Sequence, residues 1–144
     1  ESWLGGRHSH ACAMRRCLEV LPSGELMQLA IRSGTKAEFQ ELRQEQRLVE
    51  LQQLAARLQA IQGRPLYLTV DLDWFDPAVM PGTGTPEPGG YLWADFAKLT
   101  DLLQAQNLVA ADVVELAPGL DPSGCSSVLA AKVVRSLLLS LAAH

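Results

Sequence analysis

The sequence predicts an α/β fold, a three-layer α/β/α sandwich around a mostly parallel sheet. Strand-like and helix-like segments alternate along the 144 residues, the order that places helices on both faces of a parallel sheet. Two of the strand-like segments, Leu66–Leu72 and Leu108–Leu116, are continuous apolar runs, as expected of strands covered on both faces. Each carries an acid at or near its end, Asp71 in the first and Glu115 in the second.

The elements follow in order. Residues 10–20 have helical spacing, with Ser9 as the N-cap. Glu25–Ile31 reads as a short strand after the Pro22-Ser23-Gly24 turn. In Ala37–Ile61, residues Phe39, Leu42, Leu51, Leu54, Leu58 and Ile61 recur near helical spacing. This predicts one helix or two joined helices, closed by Gly63. The first apolar run is followed by Asp76–Gly90, dense in turn formers. Leu92, Phe96, Leu99 and Leu103 then mark an amphipathic helix. After the second run, Asp121-Pro122-Ser123-Gly124 leads into an apolar segment, Ser126–His144. Lys132 and Arg135 interrupt that segment, leaving it short of the roughly 20 apolar residues of a membrane span, so it reads as a buried helix. No repeat or linker divides the chain, which reads as one domain.

Composition narrows the function. With 48% hydrophobic and 19% charged residues, the chain has the material for a globular core. A formal charge of −4 without a basic run excludes the electrostatic footprint of a nucleic-acid binder. Cys12, Cys17 and Cys125 are odd in number and lack a repeated spacing, so they read as reduced thiols of a cytoplasmic protein rather than a disulfide or zinc framework. No secretory signal precedes them. The chain opens on Glu1-Ser2-Trp3 without an initiator Met and reads as a fragment.

The chemistry centres on Tyr67-Leu68-Thr69-Val70-Asp71-Leu72-Asp73. If the strand stays extended, Asp71 and Asp73 project to the same side, their Cα atoms roughly 6.6 Å apart. Such a pair can bracket two metal ions about 3.5–4 Å apart, and the carboxyl ends of strands are where open α/β sheets bind ligands. Two like charges there are costly without a cation. The plain alternative is a pair of strand-end acids that face solvent or cap the next turn. A calcium loop fails, because its Gly and Glu positions hold Asp76 and Gly82. A haloacid dehalogenase-type phosphatase, which also places Asp-x-Asp after a buried strand, stays open as a distant alternative. The stretch from Asp76 to Gly90 is a stiff, irregular loop of prolines and glycines directly after the acids, and long loops of this kind are usually functional.

Taken together, Asp71-Leu72-Asp73, Asp76-Pro77 and Pro81-Gly82-Thr83-Gly84-Thr85-Pro86-Glu87-Pro88-Gly89-Gly90 resemble the signature of the ureohydrolase family, which includes agmatinase and arginase. Ser9-His10-Ala11-Cys12-Ala13-Met14-Arg15-Arg16 and Asp112-Val113-Val114-Glu115-Leu116-Ala117-Pro118 with Asp121-Pro122 resemble two further family segments. The resemblance implies the arginase/deacetylase-like sandwich, with residues 1–144 as the C-terminal part of a single ureohydrolase domain. It implies a dinuclear Mn2+ site in which Asp71 bridges both ions and Asp73 binds one, Glu115 pairs with the substrate guanidinium, and His10 shuttles a proton. The other ligands of the family lie in a Gly-Gly-Asp-His block and an Asp-Ala-His-x-Asp block, both expected N-terminal to this chain; alone, it is expected to bind manganese poorly and to be inactive. Gly6 and Ser33 stand where arginases place a serine and an aspartate, and Arg32-Ser33-Gly34-Thr35-Lys36 looks agmatinase-like. The implied reaction is agmatine to putrescine and urea, with guanidinobutyrate, arginine or a non-catalytic subunit as alternatives. The implied partners are a small guanidino substrate and further copies of the chain, as trimer or hexamer, with neither nucleic acid nor membrane.

Overall fold

The computed structural model describes residues 5–142; Ala143 and His144, counted with the final helix above, lie outside them. The chain is α/β with parallel strands, as predicted, and divides into two compact units. The first comprises Glu1–Leu29 and Gly34–Val49, the second Ala30–Ser33 and Glu50–His144.

In the first unit, the helix expected over residues 10–20 is shorter. A 3-10 turn at His10–Cys12 leads into α1 (Ala13–Cys17). Ser9 occupies the cap position with extended backbone, but its side chain caps nothing; its hydroxyl donates to Cys12 Sγ at 3.4 Å. The strand expected over Glu25–Ile31 is only β1 (Gln28–Leu29). The stretch expected to be wholly helical is broken: α2 (Lys36–Gln44) is followed by β2 (Leu48–Val49), which pairs in parallel with β1. Two residues explain the break. Gln46 takes a left-handed backbone, φ 54. Arg47 is buried, its guanidinium donating to Glu45 at 2.7 Å, Gln28 at 2.6 Å and Glu41 at 3.1 Å. A buried cation needs such partners, and helical spacing of leucines does not reveal them. Thr35 starts α2 with a reciprocal capping box to Glu38, whose carboxyl the Thr35 bonds hold below the ordinary range.

The second unit opens with α3 (Leu51–Gln59), anchored by Leu54 and Leu58. Gly63, at φ 82, turns the chain into β3 (Pro65–Asp71). Next come α4 (Trp93–Leu103), β4 (Asn107–Val114) and α5 (Cys125–Ala142). β3 and β4 pair in parallel, from Pro65 opposite Asn107 to Asp71 opposite Val114, with one register slip between Leu66 and Tyr67. Within the described residues one face of each strand is open. On β3 the exposed residues are the odd-numbered ones, Pro65 to Asp71, while Leu66, Leu68 and Val70 point inward. The outer face is stitched by polar atoms: Tyr67 Oη and Thr69 Oγ1 donate to the two carboxylate oxygens of Asp112, at 2.5 and 2.6 Å.

The core lies where the Asp71 strand end meets α4. Leu72, Phe75, Met80, Phe96 and Leu103 are fully buried, and Phe96 contacts the rings of Trp74, Phe75 and Trp93. The last helix was expected to be buried and is so on one side only. It packs on β4 and α4 through Ala130, Val133 and Leu137 and leaves Val128, Leu138 and Leu139 exposed. By length and composition alone α5 is long and apolar enough to cross a membrane.

Candidate metal centre

Asp71 is the last residue of β3. The chain does not remain extended beyond it: Leu72–Trp74 form a 3-10 turn whose cap is Asp71 itself, its Oδ1 accepting the Asp73 N–H at 3.0 Å. The two acids are therefore not alternate residues on one strand face, as the spacing had suggested; Asp71 caps the next turn and Asp73 rides on that turn. Leu72 and Trp74, buried on either side of Asp73, supply the reason, because a turn lets both enter the core.

Glu115 follows β4. Since Val114 pairs with Asp71, Glu115 stands one residue past the same C-terminal edge. It takes a left-handed backbone, φ 68, uncommon for a residue with a side chain. The three acids share an electrostatic field. Asp71 reaches solvent on one side, yet loss of water around its carboxyl is the largest cause lifting its pKa, to about 6; the Asp73 N–H opposes this, and the charges of Asp73 and Glu115 add to it. A carboxyl destabilised in this way is relieved by a cation, and paired carboxylate oxygens suit hard divalent ions. Asp71 and Asp73 fit a metal on these grounds as a partial ligand set: among the described residues no group of three or more His, Cys, Asp or Glu side chains is placed to hold one. His10 belongs to the first unit, where it opens the 3-10 turn and is exposed.

The loop after the acids is fastened at both ends by residues that the sequence reading had not singled out for that role. At its base, Asp76 accepts from the N–H groups of Ala78, Gly89 and Gly90 at 2.9, 2.8 and 3.1 Å. These bonds, led by Ala78 and Gly89, keep its carboxyl below the ordinary range. Arg32 ties the acids to the loop, its Nη2 donating to the carbonyls of Asp73 at 2.6 Å and Glu87 at 2.9 Å. At the inner end, Gly82 donates to Ser126 Oγ at 2.8 Å and accepts from the Ala117 N–H at 2.8 Å. Thr85 Oγ1 donates to Asp73 Oδ2 at 3.4 Å. The one sequence signal for these anchors is an acid at the foot of a proline-glycine loop; apart from Ala78, the partners are distant in the chain and leave no spacing to read.

The arginase family profile matches residues 1–140, and an agmatinase of Bacillus anthracis is 35% identical over 96% of the chain. The chain belongs to the arginase family. Its fold is that of arginases and agmatinases. A guanidinobutyrase of Pseudomonas aeruginosa is 30% identical over 96% of the chain. Among solved structures, the agmatine ureohydrolase of Thermoplasma volcanium superposes with a TM-score of 0.81 at 30% identity, over 99% of this chain and 50% of that one. A presumed agmatinase of Clostridium difficile gives 0.92 at 34% identity, over 98% and 53%. The chain spans about half the length of the curated relatives it matches. Family membership removes the phosphatase alternative.

Proposed function

We propose that this chain is the C-terminal part of a single manganese-dependent ureohydrolase domain that hydrolyses agmatine to putrescine and urea. The observation that supports this reading most is the gathering of Asp71, Asp73 and Glu115 at the C-terminal edge of one parallel strand pair, close enough in charge for the latter two to raise the first. In this reading Asp71 and Asp73 hold manganese, whose bound pair supplies Lewis acidity and an activated water. Glu115 receives the flat guanidinium through two parallel hydrogen bonds, the geometry a carboxylate matches best, and fixes which face is attacked. His10 passes a proton to the departing amine. The choice of agmatine rests on the agmatinase-named relatives and on Gly6 and Ser33 at positions where arginases carry polar groups for the amino-acid end. The complete protein acts as a cytoplasmic homo-oligomer, trimer or hexamer.

Two measurements test this. Calorimetric titration of the 144-residue chain with Mn2+ is expected to give weak binding, since the remaining ligands lie in segments the chain does not contain; tight uptake of two ions refutes the incomplete site. In the protein that also carries those segments, urea release from agmatine is expected to exceed release from arginine or guanidinobutyrate. Asp71→Ala should abolish it, and Glu115→Gln should lower it by orders of magnitude. Full activity of either variant overturns the assigned role.

A further inference from the structure

Ser126 is fully buried in the first turn of α5, yet its hydroxyl does nothing for the helix. It accepts the N–H of Gly82 at 2.8 Å, and it helps to keep the neighbouring Asp121 carboxyl in its charged form. Asp121, buried as well, also takes the Ser126 N–H at 2.8 Å and the Ser123 N–H and hydroxyl at 3.0 and 2.6 Å. These bonds, led by the Ser123 and Ser126 hydroxyls, hold its carboxyl well below the ordinary range. Gly82 is pressed onto this pair: a β-carbon there would stand 2.8 Å from Ser126 Cβ and Oγ and 3.1 Å from Asp121 Cβ. Both of its peptide groups are bonded, one to Ser126 and one to Ala117.

The next residues meet the acids. A β-carbon on Gly84 would lie 3.8 Å from Glu115 Oε2, and Thr85 bonds the Asp73 carboxylate. The segment 82–85 thus runs from one buried anchor to two carboxylates with different tasks. We propose that Ser126 and Asp121 are positioning residues for Glu115 and Asp73, acting through Gly82–Thr85. The assignment rests on the reading that those two carboxylates serve a ureohydrolase centre. Helix formation alone does not require Ser126, because alanine is the better helix former and Asp121 already takes the Ser126 N–H. What alanine would remove is the partner of a buried N–H, which is costly to leave unpaired.

The test compares wild type with Ser126→Ala, Asp121→Asn and Ser126→Thr in the isotopically labelled chain without ligand. Amide exchange at Gly82 is expected to speed up about tenfold in Ser126→Ala, the equivalent of one ordinary hydrogen bond. The side-chain carboxyl 13C signals of Glu115 and Asp73 should move with it, while Leu99 and Leu103 keep wild-type protection. Asp121→Asn should move the same signals, and Ser126→Thr, which returns the hydroxyl, should bring them back. Unmoved Glu115 and Asp73 signals in Ser126→Ala overturn the proposal, as does a loss of protection spread evenly over the unit. The outcome is separate from Glu115→Gln in the urea-release assay: a failure there removes the guanidinium role of Glu115 and leaves the positioning result to stand or fall by the spectra.

Discussion

Gly90→Ala is expected to unseat the loop that carries the candidate site. The glycine keeps a negative φ, so the objection to alanine is space and not backbone conformation. A β-carbon there would stand 2.5 Å from Asp76 N, 2.5 Å from the Phe75 carbonyl carbon and 2.7 Å from the Phe75 oxygen. Ordinary contacts are about 3.5 Å, so the two backbone segments must part by about 1 Å. Overpacking of this kind costs about 1–3 kcal/mol. The parting also strains two hydrogen bonds that join the segments, Asp76 N–H to Tyr91 O at 2.9 Å and Tyr91 N–H to Trp74 O at 3.0 Å, each worth about 1 kcal/mol. The total is about 3–5 kcal/mol. Urea unfolding followed by tryptophan fluorescence, with linear extrapolation, measures it, because Trp74 stacks on Tyr91 at 4.7 Å and reports on this junction. Gly119→Ala is the control: nothing lies within 4 Å of its β-carbon position, and a change within about 0.5 kcal/mol is expected. A Gly90→Ala protein as stable as that control would refute the close-approach argument.

Three further outcomes follow from the same geometry. Asp71 has a folded pKa raised to about 6 from the ordinary aspartate value of about 3.9, so the folded chain holds more protons than the unfolded one between these values and loses stability as pH rises through that window; Asp71→Asn should raise the melting temperature at pH 7.5 and leave it nearly unchanged at pH 3.5, and the opposite pattern would reverse the sign. Phe96→Ala, which removes a fully buried ring in contact with Trp74, Phe75 and Trp93, should cost about 3–5 kcal/mol by the same unfolding assay. Arg32→Lys gives up the guanidinium, whose Nη2 reaches Asp73 O and Glu87 O while Nη1 reaches Ala30 O and Trp74 O, losing about 1.5–3 kcal/mol for a charged bond; limited proteolysis should then cut within residues 76–90 faster than in wild type, and equal rates would refute Arg32 as the tie.

The fold class was legible because apolar runs and their order survive in one dimension. The strand ending in Asp71, helix α4 and helix α5 all stand where periodicity placed them. β2 was missed because two residues carry no period, and because Arg47, polar by type, is buried through partners on three other positions. In the site, residue identities are readable while the sequence leaves open whether the strand stays extended through Asp73 or Asp71 caps the next turn; Leu72 and Trp74, turning the chain to reach the core, decide for the cap. Asp76 reaches Gly89 and Gly90, and Ser126 reaches Gly82, through main-chain N–H groups far along the sequence, and no pattern of side-chain types encodes such bonds; the bonds of Asp121 to Ser123 and Ser126 are local.

The left-handed backbone of Glu115 carries a consequence for anyone who would stabilise this protein. At φ 68 a glycine or asparagine would sit more easily, and a search for stability alone would select one of them at this position. Either exchange deletes the carboxylate beside Gly84. The chain thus holds an unfavourable conformation of about 1–3 kcal/mol at the residue proposed to receive the guanidinium, so that under this proposal gains in thermal tolerance won at position 115 would be drawn from substrate binding.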